Sequence, residues 1–168
     1  MPDDHGLLWP ERRLGRAWSA VGDERLAEAM SELRAGADEA RDRGEVLLQI
    51  ELLYEMARLG GAAQVAAEVT EAAPLADGPL TAARRSFVDG MARSDQVALA
   101  AAEKQFANLG AWVAAAESAA ELGRVLQRLG RPRDAQGAAH RGAQYVADLG
   151  GVTTPLLAAA PSQVDLSP

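Results

Sequence analysis

Apolar and polar positions along this chain recur with the three- and four-residue spacing of amphipathic helices, and four of these stretches end in Leu-Gly. The pairs close the segments MARLG, FANLG, LQRLG and VADLG, whose glycines are Gly60, Gly110, Gly130 and Gly150. A glycine just past a helix end adopts the left-handed conformation in which neighbouring N–H groups satisfy the last carbonyls. The pairs therefore predict helix ends, and the spacing of the last three predicts helices of about 16 residues joined by very short turns.

Eight helices are predicted, and short turns make chain neighbours antiparallel. Pro79 and Pro132 suit the first turn of a helix, where a missing N–H costs nothing. Ser94 or Asp95 can cap the sixth helix. No stretch of β-branched and aromatic residues alternates with period two, so we expect an all-α fold without strands. The predicted helices cover residues 10–21, 23–43, 45–59, 62–73, 79–92, 95–109, 111–129 and 132–149.

The third predicted helix carries two apolar faces, divided on one side by Glu51, Glu55 and Arg58. A lone amphipathic helix shows one apolar stripe, so two stripes predict neighbours on both sides. This is typical of stacked hairpins, and we predict a tetratricopeptide-like right-handed solenoid, although a unit of about 40 residues is longer than the usual repeat of about 34. The first face comprises Val46, Leu47, Ile50, Leu53, Tyr54 and Ala57, and the second comprises Leu48, Leu52, Met56 and Leu59.

The last predicted hairpin pairs residues 111–129 with 132–149. Its second helix presents small residues at contact spacing, which lets the two helix axes approach closely. Its first helix presents charged residues, interpreted as a stripe facing solvent. The small residues are Ala135, Ala138, Ala139 and Gly142 with Val146, and the charged ones are Glu117, Glu121, Arg124 and Arg128.

Composition and charge narrow the function further. Alanine supplies much of the apolar content, and the formal charge is −7. An acidic chain repels phosphate backbones, so nucleic-acid binding by this segment is not expected. The sequence has no cysteine, no signal-peptide pattern and no apolar run long enough for a membrane span. We therefore expect a cytoplasmic protein without membrane contact.

Motifs for catalysis, cofactors and metals are missing. The sequence contains neither a phosphate-binding G-x-x-x-x-G-K-[ST] loop nor G-x-G-x-x-G. His5 and His140, the two histidines, stand outside any metal-ligand spacing, and His140 is interpreted as an exposed residue. Glu51 and Glu55 share a helical face and could act as acid and base, but we interpret them as solvated. We therefore expect no enzyme, no cofactor and no metal in this segment.

Two further sets of residues are candidates for binding. Arg124, Arg128, Arg131 and Arg133 cluster around one turn, and could form an anion or partner patch. Arginines there more often complement the negative end of a helix dipole. Trp9, Trp18 and Trp112 are interpreted as packing residues. Trp112 is also the candidate ligand-binding residue, since it opens a helix directly after a turn.

Three segments resemble the helical-repeat region of large LuxR-type transcriptional regulators of actinobacteria, in the maltose-activator-like, ATP-binding class. They are LLWPERRLGRAW, DGPLTAARRSF and residues 101–158. The family's motifs F-x-x-L-G-A, G-R-x-R-x-A and G-G-x-x-T-P match Phe106–Ala111, Gly130–Ala135 and Gly150–Pro155. Leu166-Ser167-Pro168 is similar to the opening of the family's helix-turn-helix domain.

This resemblance implies a helical-repeat domain over residues 1–151 and a linker over residues 152–168, leading to a helix-turn-helix domain outside the chain. It also implies a non-enzymatic sensor that binds an inducer or a protein partner and controls self-association. The alternative is an oligomerisation scaffold with no small-molecule ligand. DNA contacts would belong to the helix-turn-helix domain of the parent protein.

Overall fold

The structure is a computed structural model that describes residues 9–147 and 149–158, with side chains from residue 12 onward. The described part is all-helical and contains no strand, and the eight predicted helices are all found. His5, the side chain of Trp9 and residues 159–168 of the predicted linker lie outside the described residues. The helices are α1 (Trp9–Gly22), α2 (Leu26–Asp42), α3 (Val46–Met56), α4 (Ala62–Ala72), α5 (Pro79–Arg93), α6 (Gln96–Asn108), α7 (Trp112–Arg128), α8 (Pro132–Ala147) and the short α9 (Pro155–Ala158).

The helix ends predicted from Leu-Gly are confirmed. Gly60, Gly110, Gly130 and Gly150 have φ of 94°, 71°, 70° and 75°, all in the left-handed region. At Gly110 and Gly130 the chain leaves the helix and begins the next one two residues later. Ser94 ends α5 in the same left-handed conformation, at φ 53°, and Asp95 alone caps α6, by accepting from the N–H groups of residues 97 and 98.

Replacing Gly130 with alanine tests the cost of this conformation. Left-handed backbone costs an L-residue about 1–2 kcal/mol, and no atom lies close enough to the added Cβ to change that value. The free energy of unfolding in urea is expected to fall accordingly. Gly137→Ala is the control, since it lies inside α8 where alanine stabilises by about 0.5–1 kcal/mol. A change of equal sign in the two variants would contradict the assignment.

Each helix packs mainly against its neighbours along the chain, and α3 also contacts α5. One continuous apolar core extends from Ala17 in α1 to Leu156 in α9. Its aromatic centre joins Tyr54 of α3, Phe87 of α5 and Phe106 of α6, with ring centroids 5.3–6.5 Å apart. The predicted neighbours on both sides of α3 are thus present.

Helices α7 and α8 approach closely, as their small residues predict. A Cβ at Gly123 would lie 3.3 Å from the carbonyl oxygen of Ala135, and one at Gly142 would lie 3.4 Å from that of Ala116. Ala138 is fully buried in this contact. Two residues that were predicted to pack against neighbouring helices, Ala139 of α8 and Leu47 of α3, are exposed. Each lies at the edge of its apolar stripe, where the neighbouring helix no longer covers it.

The chain after α8 returns to the domain. Leu156 of α9 is buried, and its carbonyl oxygen accepts a hydrogen bond from Arg124 of α7. This described part of residues 152–168 therefore packs against the helices. No helix within residues 9–147 and 149–158 has the length and apolarity needed to cross a membrane.

Candidate functional site

An open cleft of about 420 Å³ lies between the end of α3 and the start of α7. Its walls combine elements that are far apart in the chain. Tyr54 and Arg58 come from one side, residues 110–114 from the other, and Leu149 from the turn after α8. The cleft therefore includes Trp112, the residue that the sequence singled out as a ligand candidate.

Trp112 is held in place but remains accessible. Its ring stacks on Tyr145 of α8, with centroids 6.1 Å apart and an interplanar angle of 21°. The residue is nevertheless 44% exposed. One aromatic surface is thus fixed by the last hairpin while part of the ring remains open to the cleft.

A local irregularity positions Arg58. Residues Ala57–Gly61 form a kinked junction between α3 and α4, at which Gly60 leaves helical geometry with a φ of 94°. Gly61 is buried, and a Cβ there would lie 2.5 Å from the Met30 methyl carbon and 3.0 Å from the Met56 carbonyl oxygen. The Gly60-Gly61 pair therefore lets α4 follow α3 without a loop.

Arg58 is the centre of a buried ionic cluster formed with Glu55 and Glu117. Its Nε and Nη2 donate to the two carboxylate oxygens of Glu117 at 2.7 Å each, and its Nη1 donates to Glu55 at 2.7 Å. The guanidinium carbon also lies 4.8 Å from the ring centroid of Trp18. The cluster thus joins α1, α3 and α7.

The prediction that Glu55 and Glu117 face solvent is wrong. Glu117 is 1% exposed and Glu55 is 9% exposed. The physical reason is Arg58, whose positive charge and hydrogen bonds offset the cost of removing both carboxylates from water. Glu121 is likewise buried, and it pairs with Arg124. Glu51 is half-buried and pairs with Arg84 at 3.3 Å.

Burial changes the protonation equilibria in the cluster. It raises the pKa of Glu55 above the ordinary 4.5, and the neighbouring Arg58 offsets only part of that rise. Burial also raises the pKa of Tyr54, so its hydroxyl remains protonated. For Arg58 burial acts to lower the pKa, but its bonds to Glu117 and the charge of Glu55 outweigh it, and the net pKa is raised.

Glu55 should make stability depend on pH in a defined direction. Because its pKa is higher in the folded state, the folded protein binds the proton more tightly than the unfolded chain. The contribution of Glu55 to the free energy of unfolding is therefore fully present below the ordinary pKa of 4.5 and falls as the pH rises above it. Urea unfolding of the parent protein and Glu55→Gln across this range measures it. The parent-minus-variant difference is expected to decrease with pH, and a constant or rising difference would contradict the assignment.

Three of the four arginines in the candidate patch, Arg124, Arg128 and Arg131, lie beside acidic residues. Arg124 bonds Glu121 and the Leu156 carbonyl, and Arg128 lies 3.8 Å from Glu121 in the last turn of α7. Arg131 pairs with Asp134 at 2.8 Å. These contacts favour the interpretation as helix-end and ion-pair charges over a single anion patch.

Other candidates occupy ordinary positions. His140 is exposed on α8, as interpreted from the sequence. Trp18 is half-buried against the core and Arg58. Within the described residues, no group of three or more His, Asp or Glu side chains is arranged to hold a metal ion.

Tyr54 was not singled out from the sequence, although it carries a distinctive feature. It is 5% exposed, lines the cleft, and its hydroxyl has no hydrogen-bond partner among the described residues. A buried hydroxyl without a partner is costly in a folded domain. In the sequence Tyr54 shares an apolar helix face with Val46, Leu47, Ile50 and Leu53, and that pattern indicates packing only.

Comparison of the chain with protein-family models, with curated proteins and with solved structures found no match.

Proposed function

We propose that this chain is a non-enzymatic sensor segment of a LuxR-type transcriptional regulator, and that it binds a small-molecule inducer in the cleft. The observation that carries this proposal is the cleft itself. Its volume of about 420 Å³ falls within the usual range for small-molecule sites. Its lining is mainly apolar with two polar residues, Tyr54 and Arg58, and because the cleft is open a bound molecule would keep part of its surface in water.

The arrangement of helices supports a tetratricopeptide-like right-handed solenoid as the scaffold. Chain neighbours pack against each other, and α3 contacts α5 across one intervening helix. A contact between helices separated by one other is found in stacked hairpins, and α7 makes a second one with α9. Tyr54 of α3 and Trp112 of α7 meet at the cleft.

The carboxylates nearest the cleft support binding over catalysis. Glu55 and Glu117 both accept hydrogen bonds from Arg58. A general base must instead present its lone pair to a substrate within hydrogen-bond reach. These two groups are used to hold helices together.

Control of self-association would follow from a population shift. The cleft joins the end of α3 to the start of α7, so a bound molecule contacts both and favours arrangements in which they are close. The competing proposal is an oligomerisation scaffold with no small-molecule ligand. It is supported by Leu75 and Val97, which are 74% and 71% exposed.

Light scattering over a protein concentration series, with and without a metabolite panel, separates the two functions. A sensor shows a thermal shift and a change of mass with a particular metabolite, and Trp112→Ala removes both. Leu129→Ala is the control, since that leucine is exposed away from the cleft lining. Mass that rises with concentration alone, with no thermal shift from any metabolite, would favour the scaffold.

A further inference from the structure

Two contacts fix the register between α3 and α5. The rings of Tyr54 on α3 and Phe87 on α5 meet with centroids 5.3 Å apart. Three positions earlier on both helices, Glu51 of α3 pairs with Arg84 of α5 at 3.3 Å. Because the two contacts step backward together, the helices run parallel. Residues one further turn back on each helix therefore share one face of the molecule.

The residues one turn back are leucines, Leu47 on α3 and Leu80 on α5, and they are 59% and 41% exposed. A third leucine joins them from the end of α6, which follows α5 after a short turn and runs antiparallel to it. Phe106 of α6 lies 6.5 Å from the Phe87 ring, so Leu109, one turn later, lies at the same end of the domain. Leu109 is 41% exposed. We call Leu47, Leu80 and Leu109 the leucine patch.

The surroundings of the leucine patch carry both signs of charge. The ion pair of Glu51 and Arg84 lies one turn from Leu47 and Leu80, and its side chains are 38% and 15% exposed. Within five positions of the three leucines the chain has four acidic and four basic residues, whereas the whole chain carries −7. The acidic ones are Asp42, Glu45, Glu51 and Asp77, and the basic ones are Arg43, Arg84, Arg85 and Lys104.

A second copy of this chain is the partner that fits such a surface. Two copies that each carry −7 repel one another unless they meet through a region without net charge. The leucine patch is such a region. A two-fold contact presents the same patch on both copies, and charges of both signs around an apolar centre are compatible with that symmetry. A strongly acidic or strongly basic partner would find no charge on this surface to select it.

We propose that two copies of this chain associate through the leucine patch. The leucines form the apolar centre of the interface, and the charged residues around them form its polar rim. The patch adjoins the cleft, because Gly110 and Ala111, directly after Leu109, line the cleft. This inference rests on the proposed control of self-association and names the surface that carries it.

Light scattering on the full chain, from about 1 μM to 1 mM, measures the dissociation constant of the dimer. Leu47→Glu and Leu80→Glu each place one carboxylate per copy in the apolar centre, and each is expected to raise the constant roughly tenfold or more. Val97→Glu is the matched control, since Val97 is 71% exposed at the opposite end of α6 from Leu109. It should change the constant by about twofold or less. All three variants should keep the melting temperature of the parent protein.

Salt provides a second test of the same interface. Screening weakens the repulsion between two acidic copies and leaves an apolar contact unchanged. Raising sodium chloride from about 0.05 to 0.5 M is therefore expected to lower the dissociation constant severalfold. A dissociation constant that rises with salt would mean that ion pairs hold the dimer, and would overturn the inference.

The remaining outcomes separate this inference from the proposed function. A parent protein that stays monomeric at about 1 mM would overturn the inference. A dimer that Val97→Glu disrupts, while Leu47→Glu and Leu80→Glu leave it intact, would do the same. The sensor function is decided separately, by whether a metabolite raises the melting temperature of the Leu47→Glu protein and leaves that of Trp112→Ala unchanged.

Discussion

Replacing Glu117 with glutamine is expected to lower the free energy of unfolding by about 3–5 kcal/mol, as when one member of a buried ion pair is removed. The Arg58 and Glu117 side chains are 14% and 1% exposed, so water cannot replace the lost carboxylate. Glutamine keeps the shape but offers Arg58 one acceptor in place of two. Urea denaturation followed by circular dichroism measures the change.

Glu103→Gln is the matched control for this prediction. Glu103 also accepts two hydrogen bonds from one guanidinium, that of Arg141, at 2.6 and 2.9 Å. The Glu103 side chain is itself only 6% exposed, but that of Arg141 is 45% exposed, so water can solvate the guanidinium when the carboxylate charge is lost. We expect a loss of about 1 kcal/mol there, because the arginine left behind is not a buried unpaired charge. Equal losses in the two variants would show that burial of the arginine does not set the cost.

Truncation of Phe106 to alanine is the second large effect, with an expected loss of about 3–5 kcal/mol. Phe106 is fully buried and lies between the rings of Tyr54 and Phe87, with centroids 5.8 and 6.5 Å away. Its removal leaves a cavity where α3, α5 and α6 meet, and rigid neighbouring helices limit collapse into it.

Val97→Ala serves as the control on the same helix, because Val97 is largely exposed and its loss should change stability by roughly 0.5 kcal/mol or less. Both variants are compared with the parent protein by urea unfolding. A loss below about 2 kcal/mol for Phe106→Ala would mean that the aromatic centre repacks.

Local sequence signals predicted the helices well because their causes are local. A left-handed glycine after leucine ends a helix, and Asp95 or a first-turn proline begins one, whatever lies elsewhere in the chain. The same local reading gave Trp112 as a ligand candidate because it opens a helix directly after a turn; it lines the cleft, and its role in binding stays a prediction. These features need no knowledge of distant neighbours.

Burial of charge could not be predicted in this way. Glu117 is buried because Arg58, 59 positions earlier, reaches it from the kinked junction between α3 and α4. Helical periodicity places a charged residue on a face, but it does not reveal which distant side chain covers that face. A sequence signal was nevertheless present, since Glu55 and Arg58 stand at i,i+3 spacing between leucines on both sides and could have suggested a buried pair.

The contact between Arg58 and Glu117 also has a consequence for how the molecule unfolds. Hairpin arrays without such links lose their terminal units one at a time, because each unit touches only its neighbours. Here a bond across 59 positions fastens the first half of the chain to the second. Amide hydrogen exchange in α3 and α7 should therefore proceed through one shared opening, and both helices should become labelled at the same denaturant concentration.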